Sequence, residues 1–477
     1  PEERQPGLEV DPQHLRRNGR PVEQGRLDGP RTDRDVVRGQ GERTLAQQGR
    51  RPHPLLAEDR CGGMVVPDRG AEVGRRVDAP VQQVDGTVHE GDPLPGARLG
   101  ILAARDGVPC MTAIDLKRTA RPSAVFAAVV REPGALWLDD AAFVRPTLMG
   151  CRPEAQLIVR RDGRVLHREH GLEREITCEP LRAIRDFIAA APHGVAPWTA
   201  GFLAFDLAPK VEPRLRARTA PESSTPLAYL ARYDAVLRGQ PLGLNALSPD
   251  PPLGWSIQAT TRRAADDLMA RLDCDRLGVP VLSLPEEEPS VLLETPDRAA
   301  HERAIERALS YIAAGDVYQV NLAGRFRVAS SLPPHQAYWR MRALQPVRHG
   351  AFLDTGELCV LLNSPERFLR ISGDRIETRP IKGTRPRGAS AAEDRDWARD
   401  LRTDPKECAE HVMIVDLERS DLERVCHPGT VAVASFAEVE SYATVHHLVS
   451  TVRGRLRRDV GLEDVLRGTF PGGSSTG

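Results

Sequence analysis

The sequence predicts a mixed α+β fold, and three observations carry that reading. Short apolar runs of strand length alternate with turn signals between residues 111 and about 290, with helical stretches among them. Beyond about 295, longer runs with helical spacing alternate with paired strand-like runs. Between those stretches, Pro-Glu-Glu-Glu-Pro at 285–289 reads as a linker.

Taken in order, residues 1–110 contain no Phe, Trp, Tyr or Lys, while Arg, Gly, Pro and Gln recur. Such a segment has little apolar surface to set against its ordering entropy. It is expected to be a disordered or non-native extension, and no function is assigned to it. Residues 111–290 form the next unit. Gln156–Arg160 reads as a strand that turns at Asp162-Gly163, Leu227–Leu230 as another strand, and Leu181–Ala190 as a helix. The last unit covers 291–477. Ala299–Ala314 carries Ala304, Ile305, Ala308, Leu309 and Ile312 at helical spacing, and Gly315 ends it. Val317–Val328 is strand-like, and alternation puts Gln319 and Asn321 on one face, toward either a pocket or solvent.

With 477 residues and a net charge of −1, the chain has no global field that would draw nucleic acid. No apolar run approaches the roughly 18 residues that span a bilayer, so no membrane partner is expected and a cytoplasmic location is. The eight cysteines are scattered without metal-ligand spacing and read as reduced thiols.

Lysine is the rare residue. Only Lys117, Lys210, Lys382 and Lys406 occur among the 66 basic residues. A lysine amine can lose its proton and attack carbon, whereas arginine stays charged. Lys382 lies in Pro380-Ile381-Lys382-Gly383-Thr384, followed by Arg385 and Arg387, whose charges favour a neutral neighbouring amine. The alternative is a structural lysine in a basic turn. Leu358–Leu362 and Phe368–Ile371 read as strands flanking Ser364-Pro365-Glu366, and Ile376–Ile381 returns after a turn at Gly373-Asp374. That hairpin brings Glu366 roughly opposite Lys382, either as acid/base and nucleophile or as a cross-strand ion pair.

Asp404-Pro405 opens a helix, with Glu407 and Glu410 on one face and Cys408, Val412, Met413 and Val415 mostly on an apolar side. Adjacent carboxylates of this kind suit Mg²⁺, and equally a solvated acidic face. Of His446 and His447, one must face inward along an apolar strand, poised near neutral pH or satisfied in the core. Pro471–Gly477 is a turn rich in glycine and hydroxyls, Ser474 among them, with amides suited to an anionic group.

These blocks together resemble the chorismate-utilising enzymes, the large subunits of anthranilate synthase and aminodeoxychorismate synthase. The matching runs are Ala314–Leu322, Ser364-Pro365-Glu366, Pro380–Gly388, Ala409–Leu417, His446–Ser450 and Phe470–Gly473, in family order. Pro197–Phe202 and Ala231–Leu237 extend a weaker match toward the amino terminus.

The resemblance implies an anthranilate synthase-like fold of antiparallel sheets packed with helices, truncated at the C-terminus. It implies Mg²⁺ as cofactor, chorismate as substrate and a glutamine amidotransferase subunit supplying ammonia. A lysine at position 382, where anthranilate synthases usually carry alanine, points to aminodeoxychorismate synthase. Lys382 would attack ring carbon 2, assisted by Glu366, with His447 near the ring carboxylate or leaving group. Gly383, Thr384 and Ser474 would contact substrate, and Glu410 would bind Mg²⁺ with Glu407 in support. Anthranilate synthase component I, or an inactive fragment that only binds the amidotransferase, are the alternatives. Ser420, and Gln345–Gly350 in place of the usual Asn-Pro-x-Pro-Tyr/Phe run, depart from the family pattern.

Overall fold

A computed structural model describes residues 112–141, 146–190, 198–215, 224–241, 250–272 and 290–476. The expected amino-terminal extension, the 285–289 linker and Gly477 lie outside the described residues. The strands are β1 (Thr112–Ala120), β2 (Leu136–Asp139), β3 (Thr147–Gly150), β4 (Ala155–Val159), β5 (Val165–Glu169), β6 (Leu172–Ile176) and β7 (Trp198–Leu203). They continue as β8 (Ala228–Tyr233), β9 (Ala235–Pro241), β10 (Leu253–Ala259), β11 (Val291–Glu294), β12 (Arg327–Ala329), β13 (His349–Asp354) and β14 (Cys359–Ser364). The last five are β15 (Arg367–Ser372), β16 (Arg375–Arg379), β17 (Ile381–Pro386), β18 (Ala432–Ser441) and β19 (Val445–Arg455). Among the described residues, six helices of ten residues or more accompany them: α1 (Pro180–Ala189), α2 (Arg262–Leu272), α3 (Arg298–Ala314), α4 (Pro334–Leu344), α5 (Ala391–Thr403) and α6 (Pro405–Glu423).

All pairings among the described strands are antiparallel, as the α+β reading expects. A seven-stranded sheet runs β1-β10-β9-β3-β2-β13-β14, and a five-stranded sheet runs β6-β5-β4-β8-β7. In β10 the alternating Leu253, Trp255, Ile257 and Ala259 point into a core with Trp137, Tyr338 and Phe352. The turn after β4 forms at Asp162-Gly163 as the residues predict, with Gly163 at φ 94°. Strands β13 and β14 come after position 290 yet complete the seven-stranded sheet, so that sheet crosses the expected boundary between the two units.

The third sheet builds the site. One edge of β19 pairs first with β16 and then with β17, in one register from Thr378↔Val452 to Ile381↔Val449. Pro380, which has no N–H, interrupts the run that the sequence reads as one strand over 376–381. The register then slips between Ile381 and Thr384, so Lys382 and Gly383 form a bulge. Gly383 sits at φ 88°, which side chains rarely adopt.

Two expectations are corrected. Val317–Val328 is strand only at Arg327–Ala329, because no described strand lies beside Tyr318–Leu322 to complete a ladder. On α6, Val412 is exposed, and the buried face carries His411, Ile414, Val415, Glu418, Asp421 and Leu422. The start of α6 is as read: Asp404 accepts from the backbone N–H of Lys406 and Glu407. Helix α3 ends at a left-handed Gly315, yet none of its residues is buried.

Candidate active site

The bulge aims Lys382 at the turn that follows Pro471. Its Nζ donates to the Ser474 carbonyl at 3.1 Å and lies 3.8 Å from Glu410 Oε1, with the side chain 15 % exposed. Its own carbonyl is held from behind by His411 Nδ1 at 3.2 Å, while His411 Nε2 meets Ser450 Oγ at 2.6 Å. Burial pushes the His411 imidazole below its ordinary pKa, so it is neutral. A carbonyl can only accept, which makes Nδ1 the protonated nitrogen and the Ser450 hydroxyl the donor to Nε2.

Glu366 follows β14 and reaches the same place. Its Oε1 accepts from the Ile381 N–H at 2.9 Å. Burial raises its pKa, opposed by hydrogen bonds from Ser474 and Ile381 and by the charge of Lys382. A carboxyl that keeps its proton to higher pH than a free one is suited to donate it. Glu366 and Lys382 thus do converge at the open end of the β15–β16 hairpin, whose register runs from Ser372↔Arg375 to Arg367↔Arg379, with Lys382 just beyond it on β17.

Thr384 Oγ1 and His447 Nδ1 are 3.0 Å apart. Burial lowers the His447 pKa, a backbone hydrogen bond with Gly383 opposing it. Strand alternation turns His446 inward, where it bonds Ser441 and Asp394. Arg385 and Arg387 are both engaged by carboxylates: Asp400, Asp404 and Glu407 hold the first, Asp394 the second.

Glu407 and Glu410 share the front of α6 in different company. Glu407 is ion-paired with Arg385 at 3.1 Å. Glu410 accepts from Gln319 Nε2 at 2.8 Å, and the amide oxygen of Gln319 is buried without a hydrogen-bond partner. An orphaned buried oxygen beside a carboxylate is a hard-donor pair that fits Mg²⁺, which is commonly held by one or two carboxylates plus substrate and water. Asn321 donates to the Ser474 carbonyl at 3.2 Å. Both amides therefore face the site, although not on a strand.

In the turn around Ser474, one backbone amide is already taken. The residues from Gly473 to Thr476 wind into a single helical turn, and the Gly473 N–H is already donated to Glu418 Oε1 at 2.9 Å. Glu418, with Oε2 accepting from Thr378 Oγ1 at 3.2 Å, is a site residue that reading apolar periodicity overlooked. Its signal was its spacing from His411 and Ile414, which puts it on the buried face of α6.

A family model described as chorismate binding enzyme matches residues 135–477. Over 182 residues the chain is 47 % identical to the aminodeoxychorismate synthase of Streptomyces griseus, covering 38 % of this chain and 25 % of that protein. Over 176 residues it is 45 % identical to anthranilate synthase component 1 of Aquifex aeolicus (strain VF5), covering 37 % of this chain and 36 % of that one. The chain thus spans from a quarter to a little over a third of these two relatives. The crystal structure of anthranilate synthase component I from Streptococcus pneumoniae TIGR4 superposes with a TM-score of 0.56 at 25 % identity, covering 70 % of this chain and 74 % of that one. The fold is that of anthranilate synthase component I, and with the family model matching through the bulge, the α6 carboxylates and the glycine turn, the chain belongs to the chorismate-binding enzyme family.

Proposed function

We propose that this chain is the large subunit of an aminodeoxychorismate synthase, converting chorismate and ammonia to 4-amino-4-deoxychorismate. The observation that supports this reading is Lys382 on its bulge, with its amine between the Ser474 carbonyl and Glu410 and with Glu366, its pKa raised by burial, alongside. A glutamine amidotransferase partner would supply the ammonia. The product would feed p-aminobenzoate and folate synthesis in the cytoplasm. No helix among the described residues is long and apolar enough to cross a membrane.

In this mechanism the Lys382 amine, once it has given up its proton, forms a bond to ring carbon 2. The two ring double bonds shift, and the C4–O bond breaks. Glu366 passes its proton to that oxygen, which leaves as water. Ammonia then bonds to C4, the double bonds shift back, and the C2–N bond to Lys382 breaks. His447 and Thr384 line the approach to the ring. Glu410 with the Gln319 amide oxygen would hold Mg²⁺, which when bound neutralises a substrate carboxylate.

The test is to supply the protein with chorismate, ammonium and Mg²⁺ and to identify the product by mass spectrometry. 4-Amino-4-deoxychorismate is expected. Anthranilate alone would make the chain an anthranilate synthase component, the activity named for the Aquifex relative. Turnover of neither kind would reduce it to an inactive fragment.

A further inference from the structure

We propose that Glu418 is a positioning residue that ties the strand carrying Lys382 to the turn that receives its amine. The inference rests on the role proposed above for Lys382 and Glu366. Glu418 is 3 % exposed and bonds in two directions. One oxygen takes the Gly473 N–H at 2.9 Å, one residue before Ser474. The other takes the Thr378 hydroxyl at 3.2 Å, on β16 and four residues before Lys382. Ser474 in turn accepts from Lys382 Nζ and Asn321, and its hydroxyl donates to the Ile381 carbonyl at 3.5 Å. A single carboxyl therefore fixes both ends of the Lys382–Ser474 contact.

The turn has little freedom to find that place unaided. A Cβ at Gly473 would fall 2.5 Å from Leu417 Cδ2, and one at Gly472 would fall 2.9 Å from Phe368 Cδ2. It is wedged between α6 and β15, and only the Glu418 bond fixes its Gly473 amide. Filling alone does not explain the residue. Leucine of similar volume would suit a face that also buries Ile414, Val415 and Leu422. A carboxyl buried beside Asp421 and Glu366 is costly there, and so is worth its place for what it holds.

The experiment compares Glu418→Leu and Glu418→Gln in the full chain. Glutamine keeps an oxygen for the Gly473 N–H and an amide for Thr378, whereas leucine severs both. Two readouts are taken: kcat and KM with chorismate, and the acetylation rate of Lys382 relative to exposed Lys406 with acetic anhydride, followed by peptide mass spectrometry. With four lysines in the chain, the peptides are unambiguous. Glu418→Leu is expected to lower kcat about 10-fold or more with KM within about 2-fold, since small misplacements are expensive for a reacting group. It should also speed Lys382 acetylation about 3-fold or more as the amine loses its carbonyl anchor. Glu418→Gln should restore both to within about 2-fold. Wild-type values in Glu418→Leu would overturn the proposal, and so would equal losses in both variants. Should Glu418→Leu fail to fold, Thr378→Val removes one of the two bonds, and unchanged acetylation there would overturn the proposal as well. Acetylation needs no substrate. Absent turnover in the wild type would therefore count against the proposed function, while the labelling still decides the role of Glu418.

Discussion

Replacing Gly383 by alanine tests the bulge that presents Lys382. The backbone there is at φ 88°, and an added Cβ would lie 3.1 Å from Leu401 Cδ1, 3.1 Å from Leu448 Cδ1 and 3.3 Å from Glu407 Oε2. Both leucines are fully buried, so neither can step aside freely. Placing a side chain at positive φ costs about 1–2 kcal/mol, crowding in a packed core about 1–3, and the stiffer unfolded chain returns about 0.4–1. The net expected loss is about 3 kcal/mol. Gly315 is the internal control: its φ is 79°, but nothing lies within 4 Å of an added Cβ. Gly315→Ala should therefore lose only about 1 kcal/mol, the conformational share. Urea unfolding followed by tryptophan fluorescence would measure both, read as a shift of midpoint at constant slope. Equal losses in the two variants would refute the crowding argument, and with it the claim that the packing around the bulge fixes its shape.

Other outcomes follow from the same geometry. Lys382→Ala should suppress amination at C4 while leaving chorismate affinity largely intact, and Lys382→Arg should not rescue it, because guanidinium offers charge without a neutral nucleophile; full activity in the arginine variant would return Lys382 to a charge contact. Arg342→Met leaves Asp139 buried without its guanidinium and should cost about 3–5 kcal/mol in a denaturant titration, whereas a loss under about 1 kcal/mol would show the pair to be dispensable. Glu410→Gln should raise the Mg²⁺ concentration needed for half-maximal turnover at least about 10-fold, and an unchanged Mg²⁺ titration would remove Glu410 from the metal's shell.

Local chemistry was legible in the sequence where it has a local cause. Asp404-Pro405 announces α6 because a capping carboxylate and a proline in the first turn act within four residues. Lys382 stood out because the chain uses so few lysines. What the sequence hides is partnership. Gly350–Leu353 is a continuous small and apolar run that carries no sign that it joins a sheet begun near residue 112. Tyr318–Leu322 has a strand's composition without a neighbour among the described strands to pair with. Glu418 was missed because helix faces are read from apolar residues, whereas this buried face also carries His411, Glu418 and Asp421.

The long-range pairing of β2 with β13 also sets the order in which the molecule can be made. Leu136 pairs with Leu353, Trp137 with Phe352 and Leu138 with Ala351. On a ribosome adding about 5–20 residues per second, β2 would wait on the order of tens of seconds for its partner. During that time Leu136-Trp137-Leu138 offers an apolar, unpaired edge of the kind that recruits foreign strands. A stall anywhere before His349 would therefore release a nascent chain with an open sheet. Residues 112–290 expressed alone carry the same defect permanently. The segment carrying Lys382 is thus made just after β13 and β14, so a chain bearing Lys382 already holds every strand of the seven-stranded sheet.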